Sequence, residues 1–293
     1  QDGQDGRRGE AVNILILSKR DLTATVFLND LVARLAALPG CRLRVVLAER
    51  TRPVELAVPE LRQMKHFERD LPFGTLFPRL DAAQAKTGPG ALMTPAQLAA
   101  HHGFTLSVAH GVDDPALTQA VAEFAPDLVV SARFSFLIPP GLFGVPRHGI
   151  VNVHPGSLPG YAGLYPHFFS MLAGEAELGC SVHLVDAGID SGPLIAEGRV
   201  PLLPGRSAFA HNLDSHLLGN RLINDLIENL LGGGRVAAVP QGSSKVKSNT
   251  YPTPAEFERF RAAGLSLIAV EEYRDLLGRF GICEEVPVVA DGV

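Results

Sequence analysis

With 293 residues, 46% hydrophobic and 19% charged, the chain is long enough for roughly two domains and apolar enough to bury a sizeable core. That composition excludes disordered and fibrous classes. Lys and Arg number 26 against 31 Asp and Glu, giving a net charge of −5, and nothing basic is denser than the Lys245/Lys247 pair, so a nucleic-acid partner is disfavoured.

Gln1 to Glu10 is polar and reads Gln-Asp-Gly twice, which predicts a disordered leader rather than a signal peptide. Val12 to Leu17 follows as a continuous apolar run, and then an apolar pattern at helical spacing through Val26, Leu28, Leu31, Val32 and Leu35. Arg44 to Ala48 predicts a second strand. Six prolines between Arg50 and Gly103 predict short helices and loops, notably a helix from Pro95 to His101.

The next unit comprises a helix over Pro115 to Phe124, a buried strand over Asp127 to Ser131, a helical turn at Pro139 to Phe143 and a strand over Ile150 to His154. Cys180 to Val185 and Leu194 to Leu202 read as strands, and Ser207 to Leu231 as a long helix stopped by Gly232-Gly233-Gly234. Two further short helices are expected near Ala255 to Ala263 and Glu271 to Phe280. Alternating α and β elements with apolar strands predict an α/β fold, a doubly wound and mostly parallel sheet. The expected division is a leader (1–10), a main domain (11–231) and a small C-terminal subdomain (232–293). No run approaches the ~20 apolar residues that span a bilayer, and three dispersed cysteines, Cys41, Cys180 and Cys283, fit a reducing cytoplasm better than a disulfide framework.

Several motifs are missing. The first β-α turn, Ser18 to Leu22, has no glycine with which to approach a pyrophosphate, and no P-loop, G-x-S-x-G elbow or H-E-x-x-H pair occurs. His211 and His216, five apart on the long helix, are expected at its surface or as caps. The stretch from Ile150 to Ile195 carries more. A strand presents Asn152 and His154 on one face, Pro155 stops it, and Asp190 follows 36 residues later in a loop closed by Ser191-Gly192-Pro193. An amide donor beside a His–Asp pair suits attack of an amine on a carbonyl carbon: Asn152 and His154 would stabilise the oxyanion, and Asp190 would orient His154 and help move the amine's proton. The same residues read equally as ordinary strand-end and turn positions, and a metal site from His154, His167, His183 and Asp190 lacks compact ligand spacing.

The string N-x-H-P, Leu158-Pro159, Gly163, Gly179, His183 and I-D-S-G-P resembles the folate-dependent formyltransferases, most clearly from Pro126 to Val200. That resemblance implies a Rossmann-like domain using 10-formyltetrahydrofolate, no metal, and Asn152, His154 and Asp190 as the catalytic set. It further implies a folate pocket lined by the loop Ser131 to Ile138, with Arg133, Phe134, Phe136 and Leu137, and by Val185, Asp186, Gly188 and Ile189. Arg133 is bulkier than that loop ordinarily carries. The glycine-free first turn, with Tyr165 where purine-pathway members carry histidine, points away from glycinamide ribonucleotide; an appendage that is not notably basic points away from initiator tRNA. The run Gly163 to His167 is more similar to sugar N-formyltransferases, which puts Tyr165 and His167 at the acceptor. A small-molecule amine, foremost a nucleotide-linked amino sugar, is therefore the expected acceptor, without nucleic acid or membrane and with a homodimer left open. The alternatives are hydrolysis of 10-formyltetrahydrofolate, though the related deformylase has an N-terminal regulatory domain that the ten-residue leader would not supply, and a folate-binding protein without turnover.

Overall fold

The computed structural model describes residues 11–83, 88, 90–242 and 248–282. The expected leader (1–10), Lys86, the Lys245/Lys247 pair and Cys283 lie outside the described residues. The chain builds β1 (Val12–Lys19), α1 (Leu22–Ala36), β2 (Cys41–Ala48), α2 (Val54–Ala57) and α3 (Pro59–Lys65), then two π-helical turns, His66–Asp70 and Pro72–Leu76, and α4 (Phe77–Ala83). There follow α5 (Pro95–His102), β3 (Thr105–Ala109), α6 (Pro115–Phe124), β4 (Leu128–Ala132), a 3-10 turn at Pro140–Leu142 and β5 (Ile150–His154). The rest comprises α7 (Pro166–Leu172), β6 (Glu177–Leu184), β7 (Leu194–Pro201), α8 (Ala208–Leu231), α9 (Pro254–Ala262) and α10 (Val270–Gly278).

These strands form one seven-stranded sheet in the order β3-β2-β1-β4-β5-β6-β7. The pairs from β3 to β5 are parallel, and β6 and β7 close the far edge antiparallel. Alternation along β1 divides the core. Ile14 and Ile16 face α1 and α8, in a cluster with Phe27, Leu31, Ile223 and Ile227, whereas Leu15 and Leu17 face α6 with Leu117 and Ala120. The sheet is thus covered on both sides, the doubly wound arrangement that its apolar strands predict. Helix starts follow local chemistry: Asp21 accepts from Ala24 N at 2.7 Å to cap α1, Asp114 caps α6 ahead of Pro115, and Ser207 caps α8. α8 ends as expected, with Gly232 as its cap.

Two elements escape the sequence reading. β3 is five residues long, carries a polar serine and pairs only with β2 at the sheet edge. α7 starts behind Tyr165, whose left-handed backbone (φ +55°) makes no side-chain cap, which leaves Pro166 in its first turn as the one entry signal. The C-terminal helices pack into the body of the molecule. Tyr273, Leu276, Leu277 and Phe280 of α10 share a cluster with Leu22 and Val26 of α1 and with Phe67 and Leu76 of the π-helical turns. Phe260 of α9 stacks on Phe168 of α7 at 4.4 Å, and Arg261 donates to Glu60 at 2.6 Å. Segment 54–83 is thereby held between α1 and the C-terminal helices.

Gly219 of α8 marks the closest approach of that helix to the sheet: a Cβ there would lie 2.4 Å from Val153 Cγ1 and 3.1 Å from Cys180 Sγ. A glycine-to-alanine change inside a helix ordinarily stabilises by ~0.5–1 kcal/mol, but overpacking a stiff β-branched neighbour costs about 1–3 kcal/mol. Gly219→Ala is expected to lower the urea unfolding free energy by about 1–2 kcal/mol; an unchanged or raised midpoint would contradict this packing.

Candidate active site

Strand order reverses direction between β1 and β4, the switch point at whose carboxyl-terminal side open α/β sheets take ligands. Residues from β1, β4 and β5 meet there. β5 delivers Asn152 and His154, and its antiparallel register with β6 sets Asn152 beside His183. Asn152 Nδ2 lies 3.2 Å from His183 Nε2, Asp190 Oδ2 is 3.4 Å from His154 Nδ1, and Asp190 Oδ1 is 3.5 Å from His183 Nε2. The three residues picked from the sequence therefore converge, and His183 joins them.

Backbone carbonyls fix the ring tautomers. His154 Nε2 is 2.8 Å from Tyr161 O and His183 Nδ1 is 2.8 Å from Leu184 O. A carbonyl only accepts, so those nitrogens carry the protons of the neutral rings. His154 Nδ1 is left as the open protonation site, and His183 Nε2 also lies beside Asp190. His183 Nε2 then accepts from the Asn152 amide, whose second N–H is not used in that bond. A proton arriving at His154 Nδ1 is received next to a carboxylate.

Asp190 sits in the left-handed region (φ +50°), and two ties hold it there. Gly163 N donates to its Oδ2 at 2.8 Å, and Gln241 Nε2 donates to its carbonyl at 2.8 Å and to Gly192 O at 2.7 Å. Gly163 itself (φ +92°) runs against Asn249, where a Cβ would meet the backbone oxygen at 2.3 Å, so only glycine brings that N–H into place. Burial pushes the Asp190 carboxyl up, but His154, His183 and the Gly163 N–H outweigh it and hold the pKa at about 2. Burial lowers the pKa of His154, against the pull of Asp190, so the resting pair is a carboxylate and a neutral imidazole. Gln241 was not found from the sequence; an isolated polar residue between proline and glycine gives no periodic or motif signal.

The two loops expected to hold folate flank this cluster and divide into two sets. Phe134, Ile138 and Val185 pack with Leu142 and Phe143 of the core, and Phe136 and Ser131 are buried. Leu137 and Ile189 instead stand 77% and 56% exposed, and Asp186 and Gly188 are exposed in a turn where Asp186 accepts from Gly188 N and Ser191 Oγ. Arg133 does not point along this loop. Its backbone is left-handed (φ +61°), and its guanidinium donates to Asp21 Oδ2 at 3.1 and 2.7 Å and to Glu68 Oε2 at 2.9 Å. Tyr165 lies between His167 and Tyr251, at ring separations of 5.8 and 5.6 Å. Burial, then the nearby Glu68, drives its phenol pKa well up, while burial and Arg133 drive that of the enclosed His167 well down.

The expectation of a surface position for His211 and His216 fails. They are 1% and 0% exposed, because α8 is covered on more than one side. Five residues turn a helix by ~140°, enough to point at different neighbours, and here both directions are filled: His211 Nε2 accepts from Leu203 N, and His216 packs edge-on to Phe27 of α1. His211 caps a backbone N–H, but from the interior. Among the described residues no three His, Cys, Asp or Glu side chains are grouped to hold a metal ion, and no helix is long and apolar enough to cross a membrane.

An amide, two imidazoles and a carboxylate at the strand ends of a doubly wound sheet define an acid–base constellation on an α/β fold. Comparison with known proteins then gives the family. Residues 75–218 match the family model described as formyl transferase, which places that stretch in the formyltransferase family. A curated relative, methionyl-tRNA formyltransferase of Thermus thermophilus, is 41% identical over 118 residues, covering 40% of this chain and 36% of the relative. The chain thus matches little more than a third of that relative's length. Among solved structures, a 4-N formyltransferase from Francisella tularensis aligns with TM-score 0.54 at 13% identity, covering 86% of this chain and 87% of the other. A sugar N-formyltransferase from Shewanella sp. FDAARGOS_354 aligns with TM-score 0.50 at 18% identity, covering 92% and 87%. These two likenesses speak for the fold.

His216 supplies a test of the buried imidazoles. Burial first, and then Arg133, lower its pKa to about 3. The folded ring therefore stays neutral below the unfolded value of ~6.5, where the unfolded chain takes up a proton, and stability falls as pH drops from about 6.5 towards 3 at up to ~1.4 kcal/mol per pH unit. His216→Leu is expected to flatten the fall in urea-derived stability between pH 7 and pH 5. Parallel pH profiles for the two proteins would refute it.

Proposed function

We propose that this chain transfers a formyl group from 10-formyltetrahydrofolate to a primary amine of a small molecule, foremost a nucleotide-linked amino sugar. The carrying observation is the convergence of Asn152, His154, His183 and Asp190 within the stretch matched by the family model. The fit to folate rests on Leu137 and Ile189, two large apolar side chains left exposed on the two loops whose Phe134, Ile138 and Val185 are packed against the core. They would hold the pterin, and the turn at Asp186 and Gly188 would offer backbone hydrogen bonds. When bound, the folate supplies the formyl carbon.

The protein's own groups do the rest. The second N–H of Asn152 donates to the oxygen on which charge develops. Asp190, ionised at neutral pH, keeps a proton site at His154 Nδ1; the proton lost by the attacking amine is received there and passed to the folate nitrogen as its bond to the formyl carbon breaks and tetrahydrofolate leaves. Once protonated, Nδ1 of His154 becomes a second donor beside the reacting centre. No covalent intermediate is required, so the absence of a serine or cysteine nucleophile in the cluster is consistent. In this reading residues 11–231 form the catalytic domain and 232–293 a subdomain whose Gln241 and Asn249 brace it. The unpaired Cys41 and Cys180 fit a cytoplasmic setting.

A second acceptor has its own support: the 41% match to methionyl-tRNA formyltransferase favours charged tRNA. One preparation assayed with amino sugars and with methionine-charged tRNA separates the two. Release of tetrahydrofolate without any amine would instead indicate a hydrolase, and binding without release a folate sensor. Calorimetry suits the binding step because the chain has no tryptophan; a stable 10-formyltetrahydrofolate analogue is expected to bind one-to-one at micromolar concentration, and no binding would remove the proposal.

Asp190→Asn keeps a residue that tolerates φ > 0. It is expected to retain analogue affinity while turnover falls about 10²–10⁴-fold; turnover near wild type would remove Asp190 from the chemistry. The rate should also fall at acid pH, because a protonated amine has no lone pair for attack, and a rate that stays constant down to about pH 5 with an alkylamine would contradict the scheme.

A further inference from the structure

The loop that leaves β2 carries two arginines, and a buried ion pair fixes the backbone beneath both of them. Arg50 O accepts from Arg69, and Arg52 N donates to Glu55 at 2.6 Å, while Arg69 and Glu55 are joined at 2.8 Å with side chains 11% and 7% exposed. The loop starts from a fixed base. From it the two guanidiniums lie over aromatic faces: Arg50 stands 5.7 Å from the ring centre of Phe136, and Arg52 stands 6.0 Å from that of Tyr251, with Nη2 3.5 Å from Ser135 O. Ser135 and Phe136 are consecutive, so both cations reach the same short stretch of the loop after β4.

At this end of the sheet Lys19, Arg20, Lys65, Arg69 and Arg133 each contact an Asp or Glu oxygen, but among the described residues neither Arg50, exposed, nor Arg52, half-buried, makes an ion pair. Two like charges held on one loop without a counter-ion favour an anion beside them. Thr51, between them, lines a cavity of about 330 Å³ whose cations Arg20, Lys65 and Arg69 are already bonded to Glu49, Asp70 and Glu55. That cavity has no free charge to offer. Direct contacts also connect the arginine pair to the reacting groups: Tyr251 lies beside Tyr165 at 5.6 Å, Tyr165 is two residues from Gly163, and Gly163 N donates to Asp190 at 2.8 Å. Asn249, two residues before Tyr251, bridges to Gly163 as well. An acceptor with its amine at Asp190 meets Tyr165 and Tyr251 next, and then Arg52.

We propose that Arg50 and Arg52 bind the diphosphate of a nucleotide-linked acceptor, whose sugar ring lies against Tyr165 and Tyr251 between the phosphates and Asp190. The inference rests on the formyl-transfer reading for the identity of the amine, but anion binding at the arginines is readable without turnover. A guanidinium fork meets phosphate oxygens two at a time, and an aromatic face beneath it holds the fork in place without using its N–H groups. The carboxylates of folate are the other anions that could reach this loop. Tyr251 belongs to neither folate loop, and its place beside Tyr165 favours the acceptor's phosphates.

The test is calorimetric titration with inorganic pyrophosphate, with a cytidyl-cytidyl-adenosine trinucleotide and with the folate analogue. Wild type is expected to bind pyrophosphate at about 1 mM or tighter, and Arg50→Gln and Arg52→Gln each to weaken it about tenfold. Arg52→Lys, which keeps the charge but loses the fork, should retain part of the affinity. Affinity for the folate analogue should stay at the wild-type value in all three variants. With a nucleotide-linked amino sugar that turns over, the glutamine variants should raise KM about tenfold and leave kcat nearly unaltered, because the phosphates are held equally in ground and transition states. Absence of pyrophosphate binding up to about 10 mM, or equal affinity in wild type and both glutamine variants, would overturn the proposal. Loss of analogue affinity in the variants would also overturn it by assigning the arginines to the folate carboxylates, and tighter binding of the trinucleotide than of pyrophosphate would do so by assigning them to charged tRNA. If the analogue fails to bind wild type, the formyl-transfer reading falls, while the pyrophosphate titration still decides whether the arginines hold a diphosphate.

Discussion

A buried carboxylate that must stay ionised governs the arrangement of this site. Asp190 is mostly enclosed, and burial alone would neutralise it. Its charge is favoured because a backbone N–H donates to it and two imidazoles border it, attracting it whenever a ring takes up a proton, and each comes from a different part of the chain. The imidazoles require β5 and β6 to be antiparallel neighbours in the observed register, and the N–H requires Gly163 to lie flat against Asn249. Loosening any of them raises the cost of the same negative charge. The geometry of the site is therefore a condition on the sheet edge and on the segment that follows α8 together.

A second buried carboxylate, Asp21, poses the same problem some way along the sheet and is compensated differently. Here the partners are formal cations, Arg133 and Lys19, rather than polarisable rings. An always-charged guanidinium suits a fixed structural charge, whereas rings that can take or release a proton suit a carboxylate at which a proton must come and go. The two solutions stand side by side. Burial drives down the pKa of both His167 and His216, so neither adds a cation next to Arg133.

Much of this was legible in the sequence where one local rule decides the outcome. The runs Val12 to Leu17 and Ile150 to His154 are too apolar and too short to be anything but covered strands, and Asp114-Pro115 and Ser207 announce helices by capping chemistry alone. Asn152 and His154 follow from period-two geometry. What stayed hidden depends on contacts remote in the chain. Gln241 meets Asp190 across 51 residues, and Glu68 meets Arg133 across 65, neither embedded in a recurring pattern. His211 and His216 were misread because helical spacing describes directions around an axis and not what lies in each direction. Arg133 was visible as an oddity, but its explanation needed Asp21 and Glu68 in space.

Segment 54–83 acquires its meaning from the same logic of remote contacts. Short helices and two π-helical turns cannot bury a core alone, and in this chain they are fastened by Phe67 and Leu76 to α1 and α10 and by Glu60 to α9. Tyr273 completes the fastening by donating its hydroxyl to the carbonyl of Phe67, one residue before Glu68. The C-terminal helices thus fix the backbone from which Glu68 reaches Arg133, while Gln241 and Asn249, on the way to those helices, fix Asp190 and Gly163. One stretch of chain braces both charged centres from behind, which couples their geometry to the packing of residues that touch neither.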